Sequence, residues 1–140
     1  MRLITCFSLL ILSLSCAGPK NAAVKSNKLN GTWLPVTQEM GGVPLPKAFL
    51  ENQKLIINDS AYTVIAESID KGIVKYKDDK MDIYGKEGIN KGKHFAAIYK
   101  YENGELTVCY NLAGDSYPET FATKDKPMYF LSVFKKEMIK

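Results

Sequence analysis

The sequence predicts an all-β protein: an antiparallel, up-and-down eight-stranded β-barrel, with a two-sheet β-sandwich as the alternative. Three observations lead there. Runs rich in Val, Ile, Tyr, Phe and Thr recur at short, fairly regular intervals between Gly-, Asn- and Asp-containing breaks. The segment "FAAIYKYENGELTVCYN" alternates apolar and polar residues on both sides of Asn103-Gly104, the strongest short hairpin signal. Hydrophobic residues make up 46% of the chain and charged residues 24%, a globular rather than disordered balance, and 140 residues leave room for one domain.

The first residues stand apart from that domain. Met1-Arg2 is a short positive start, and Leu3 to Leu14 is almost wholly apolar. That run is shorter than the ~20 residues a membrane-spanning helix needs, and fits the apolar core of a secretory signal. It ends in "LSLSCAG", Leu12 to Gly18, which resembles the lipobox of bacterial lipoproteins. The resemblance implies cleavage before Cys16, acylation of its thiol and new amine by palmitate-like chains, and, with Ala17 rather than Asp behind it, release to the outer membrane. Ser13 stands where that pattern usually has Leu; an ordinary signal cut near Ser15 or Ala17 is the other reading. The expected organisation is a signal peptide over 1–15, a lipidated tether over 16–28 and a barrel over 29–140. With Cys6 removed and Cys16 acylated, Cys109 is left unpaired, so the domain relies on a packed core rather than on a disulfide.

Strands are expected at Gly31–Gln38, Lys54–Asn58, Ala61–Ser68, Gly72–Lys77, Lys80–Tyr84, Phe95–Glu102, Glu105–Asn111 and Met128–Lys135. The breaks fall at Asn58-Asp59-Ser60, Asp70-Lys71-Gly72, Asp78-Asp79, Gly85 to Gly92, Asn103-Gly104 and Ala113-Gly114-Asp115. A helical turn is expected at Lys47–Asn52 behind Pro46, and a short extra piece near Glu119–Ala122. Pro35 removes a ladder donor and implies a bulge or an edge in the first strand.

A two-residue loop at Asn103-Gly104 fixes a register from Glu102 opposite Glu105 to Ala97 opposite Tyr110. One face then holds Phe95, Ala97, Tyr99, Tyr101, Leu106, Val108 and Tyr110 and must be the interior. Cys109 points outward beside Ile98, where a loop could cover it. The same parity turns Tyr62, Val64, Val74, Tyr76, Met81 and Ile83 inward. The last strand is apolar on both faces, so its parity stays open.

Gly31-Thr32-Trp33 looks like the G-x-W of lipocalins, in which the Trp closes one barrel end and stacks on a basic side chain near the last strand. That resemblance implies a closing role for Trp33 with Lys135 or Lys136. The wider pattern of "LNGTW", "GGVPLP", "KGIVKY", "DIYG", "AAIYKYENGELTVCYN" and "YPETF" resembles a lipocalin-like domain family first catalogued in planctomycete proteins. Tyr117 stands where that family usually has Arg before the Pro. The family brings no assigned activity with it.

There is no G-x-S-x-G, phosphate loop or Cys/His cluster, and the single His94 is expected as a solvated loop residue without an acid partner. Asp78, Asp79 and Asp82 do not follow calcium-loop spacing. The net charge of +4 is spread along the chain, so a nucleic-acid partner is not expected. What remains is the interior: Tyr62, Tyr76, Tyr99, Tyr101 and Tyr110, which either fill a packed small barrel or line a ligand cavity. The expectation is a monomeric, non-catalytic envelope lipoprotein without cofactor or metal that binds a small apolar or aromatic ligand. The alternative is an inhibitor-like module that binds a protein or glycan through its rim loops.

Overall fold

The computed structural model describes residues 27–139; the signal segment, Cys16 and most of the tether lie outside the described residues. Nine strands follow one another: β1 (Gly31–Met40), β2 (Val43–Pro44), β3 (Lys54–Asn58), β4 (Ala61–Ile65), β5 (Ile69–Lys77), β6 (Lys80–Glu87), β7 (His94–Glu102), β8 (Glu105–Asn111) and β9 (Tyr129–Lys136). Every neighbouring pair is antiparallel from β3 to β9, and β1 bonds to both β3 and β9, which closes an eight-stranded up-and-down barrel. The short β2 folds back on the end of β1 and stands outside the closed ring.

Turn chemistry explains the connections at one end. Asp59, Asp78 and Asn103 each adopt positive φ (52°, 55° and 52°), a conformation that Asn and Asp tolerate better than other side-chain residues. Asn103-Gly104 gives the two positive φ values of a type I′ turn, and the β7–β8 register runs from Glu102–Glu105 to Ala97–Tyr110 as the sequence predicts. The like-charged Glu102 and Glu105 are each taken up by a lysine, Lys100 at 3.6 Å and Lys135 at 3.7 Å. The ladder between β1 and β9 shifts register between Pro35 and Thr37, the bulge that Pro35 implies.

Three local expectations are corrected. Asp70-Lys71-Gly72 is not a turn; the β4–β5 reversal lies earlier, where Ala66 N–H donates to Ser68 O at 3.0 Å. Gly72 is a strand residue with no room for a side chain: a Cβ there would come within 2.1 Å of the Tyr84 backbone oxygen and 2.6 Å of Tyr62 Cε1. Glu119–Ala122 forms no strand, and the helical turn behind Pro46 is one short 3-10 turn, Lys47–Phe49.

The two ends of the barrel differ. At the first, the N-terminal segment is tied to the β3–β4 turn: Asn30 Nδ2 donates to Asp59 Oδ1 at 2.8 Å and Asp59 N–H donates to Asn30 Oδ1 at 2.7 Å. At the other end lie the β1–β2 hairpin, the 3-10 turn, the β6–β7 loop and the long segment from Leu112 to Met128. The last of these folds over the outside of the sheet. The buried core is one cluster inside the barrel, centred on Trp33, Leu55, Ile57, Leu106, Val108 and Phe134. The parity of β9, open in the sequence, is settled by this packing: Phe134 is in that cluster, and Phe130 turns to the same interior.

Candidate functional site

The barrel is not filled. An interior cavity of about 390 Å³ lies above the core, within the usual range for small-molecule sites and equal to roughly a dozen water-sized volumes. Strand parity makes its wall apolar: Leu55 and Ile57 from β3, Val74 from β5, Met81 and Ile83 from β6, and Val108 from β8 all point inward. The mouth is framed by Met40, Leu45, Phe49 and Leu112. The Gly41-Gly42 reversal (φ 58° and 85°) brings Leu45 and Phe49 over this end, where Leu45 N–H donates to Gln38 O at 2.9 Å.

Of the five tyrosines read as lumen residues, three reach the cavity: Tyr62, Tyr76 and Tyr110. Burial, and to a smaller extent the charges of Tyr76 and Tyr62, push the Tyr110 pKa far up. The Tyr76 hydroxyl is buried without a hydrogen bond. Burial raises its pKa, an effect the Asn27 side chain partly offsets. Tyr99 and Tyr101 are the correction. Their parity is inward, but they lie too near the hairpin turn to reach the cavity. Tyr99 donates its hydroxyl to Asp78 O at 3.0 Å, and Tyr101, 43% exposed, meets the Trp33 ring edge-on at 5.6 Å. Both border a shallow hollow at the closed end instead.

Trp33 is wholly buried at the closed end, and its indole N–H donates to Leu29 O at 2.7 Å. Lys136 lies directly opposite it in the β1–β9 ladder, with Nζ 5.4 Å from the ring centroid. Gly31 makes this possible, because a Cβ there would come within 2.5 Å of Lys136 Cε. Lys135, one residue earlier, faces outward to Glu105, as period-two alternation requires. The Trp33 ring is beneath the cavity and is not part of its wall.

Cys109 has outward parity yet is fully buried, because the Leu112–Met128 segment is laid over this face as a strap. Burial pushes its thiol up to about 11, which leaves it a poor nucleophile. The strap is held at both ends. Thr123 donates its hydroxyl to Glu39 Oε1 and accepts from Gly42 N–H at 2.9 Å. Tyr117 donates its hydroxyl to Asp82 Oδ2 at 2.5 Å. His94 is also corrected: it opens β7, stacks on Tyr84 at 4.8 Å and bonds Asp82 Oδ1 through Nε2 at 2.8 Å. The acid partner was missed because twelve residues and a glycine-rich loop separate the two in sequence, and only the β6–β7 pairing of Tyr84 with His94 brings them together. Among the described residues no Ser, Thr or Cys bonds to His94, so this is a clamp on the strap rather than a nucleophile–base arrangement.

The Tyr117 bond, opposed by partial burial and reinforced by His94, lowers the Asp82 pKa below its ordinary value. A carboxyl with a lowered folded pKa stabilises fully above its unfolded value of about 3.9, and that stabilisation is lost as pH falls through the lowered value. The strap should therefore loosen on acidification. With Cys6 and Cys16 replaced by Ser, Cys109 reports on this directly. A disulfide reagent at neutral pH should modify it slowly, and several-fold faster in Tyr117→Phe. Equal rates in the two proteins would show that Tyr117 does not hold the strap.

The fold and its site define a class: a small closed antiparallel barrel with an apolar cavity open at one end. No family model, no curated protein and no solved structure matches the chain.

Proposed function

We propose that this protein is a lipid-anchored barrel of the bacterial cell envelope, lipocalin-like in kind, that encloses a small apolar or aromatic ligand and performs no catalysis. The observation that carries the reading is the unfilled apolar cavity of about 390 Å³ beneath an open mouth. A binding protein needs such a space, and a barrel whose only task was to be stable would gain by filling it. The anchor rests on residues 1–16: an apolar run too short to span a bilayer, ending at Cys16. Two or more acyl chains on Cys16 would hold the protein stably to a membrane, in line with an outer-membrane location. The first described residues, around Asn30, are bonded to the β3–β4 turn at the closed end, away from the mouth.

One observation favours the second reading, a module that binds a protein through its rim. Val43, Phe49, Ile69 and Ile89, all at the open end, are 66%, 58%, 56% and 71% exposed. Native mass spectrometry of protein purified from its own host separates the two: a retained small mass supports the cavity reading, whereas a bare mass with a co-purifying protein supports the rim. The anchor is tested apart. Full-length protein should fractionate with membranes and carry acyl mass on Cys16, and Cys16→Ser should release it or leave it unprocessed. A mature, unacylated N-terminus at any other residue ends the lipoprotein reading.

A further inference from the structure

The cavity wall carries one charge that nothing balances. Asp70 lies opposite Val64 in the β4–β5 ladder, so it points inward, and it is 6% exposed. Its carboxylate is held from one side only. Oδ1 accepts Asn90 N–H at 3.0 Å and Oδ2 accepts Asn90 Nδ2–H at 3.3 Å. Among the described residues no cation pairs with it. Its neighbour Lys71 alternates to the outside and meets Glu87 at 3.8 Å, and Lys54, the other charged residue bordering the cavity, bonds Glu137 at 2.9 Å. A carboxylate offers about four acceptor positions, so two amide donors leave it half used. An ionised carboxylate in an apolar surround is costly unless opposite charge or further donors meet it.

We infer that the cavity takes a ligand with an apolar body and a single protonated amine head, the amine held by Asp70 just inside the mouth. The inference rests on the proposed ligand-binding reading of this cavity and adds the chemistry of the head group. Tyr62 lines the same cavity from β4, opposite Gly72 and two residues along the ladder from Asp70, and its pKa is raised by burial and then by the charge of Asp70. The β6–β7 loop is closed tightly on Asp70: a Cβ on Gly88 would collide with Oδ1, so the carboxylate is fixed before any ligand arrives. An ammonium donates charge-assisted hydrogen bonds, roughly twice as strong as neutral ones. An acid head would meet like charge, which discriminates against fatty acids by repulsion.

The test is calorimetry with octylamine, octanol and octanoate on the chain from Ala17 onward, carrying neither the apolar leader nor Cys16, so that neither acyl anchor nor detergent competes for the cavity. Octylamine should bind at least about ten-fold tighter than octanol, with octanoate weakest. Asp70→Asn should remove the amine's advantage and leave octanol unchanged. If that variant does not fold because Asn90 loses its partner, the three ligands on the chain with Asp70 intact decide alone. Octanol or octanoate binding as well as octylamine would overturn the inference and leave the ligand-binding reading standing; Asp70 would then only organise the loop. Binding of none of the three would remove the inference together with that reading.

Discussion

Replacing Trp33 with alanine is expected to destabilise the barrel by about 3–5 kcal/mol, the cost of truncating a fully buried large aromatic. Against the ~5–15 kcal/mol of a typical domain this is a large share, so part of the population should be unfolded at physiological temperature. Four losses coincide at that position. The ring is 0% exposed, so its removal leaves a hole in the closed end. Leu29 O loses the donor that reaches it at 2.7 Å. Lys136 loses the face it covers at 5.4 Å, and Tyr101 the ring it packs against at 5.6 Å. Trp33→Phe keeps most of the packing and gives up the indole donor, at a cost of about 1–2 kcal/mol. Trp33 is the only Trp, so denaturant unfolding has to be followed by circular dichroism. A cost under ~1 kcal/mol for the alanine variant, usual for surface positions, would mean that Trp33 does not close the barrel.

The sequence made this architecture readable wherever local chemistry and burial point the same way. Asn103-Gly104 sets a turn, the turn sets a register, and alternation then assigns inside and outside along β7 and β8. Val74, Met81 and Ile83 follow the same rule and are buried. Legibility ended where a residue's meaning depends on a distant partner. Gly72 looks like a turn residue because glycine usually marks one, yet it is a strand residue that makes room for the Tyr84 backbone and the Tyr62 ring from the neighbouring strands. Cys109 has the parity of a surface residue and none of the exposure, because a strap from later in the chain covers it. Parity gives the face of a strand residue but not its depth: Tyr101 and Tyr110 share a parity, while only Tyr110 reaches the cavity. The cavity itself was not legible, since the sequence allowed a filled barrel equally well. Whether eight strands enclose a void depends on how side chains meet across the lumen. Asp70, placed in a turn by its neighbours Lys71 and Gly72, could not be recognised as an inward charge until the β4–β5 reversal was located at Ala66–Ser68.

Filling the cavity should abolish ligand binding without unfolding the protein, and Val108→Trp is the variant to do it. Val108 is 1% exposed, lies mid-strand in β8 between Tyr99 and Ser132, and forms part of the cavity wall. In a packed core such an enlargement would cost about 1–3 kcal/mol through forced rotamers and backbone shifts. Here the added ring has a void of about 390 Å³ beside it, so stability should change by no more than ~1 kcal/mol in either direction. Affinity for octanol should fall at least about ten-fold, because the ring occupies space that the alkyl chain needs. Ile89→Ser supplies the reciprocal variant: it removes the most exposed apolar side chain of the rim, at 71% exposure, without touching the cavity wall. Loss of octanol binding in Val108→Trp but not in Ile89→Ser places the ligand in the lumen. The reverse pattern would place it on the rim, and the interaction-module reading would then replace the enclosed-ligand one.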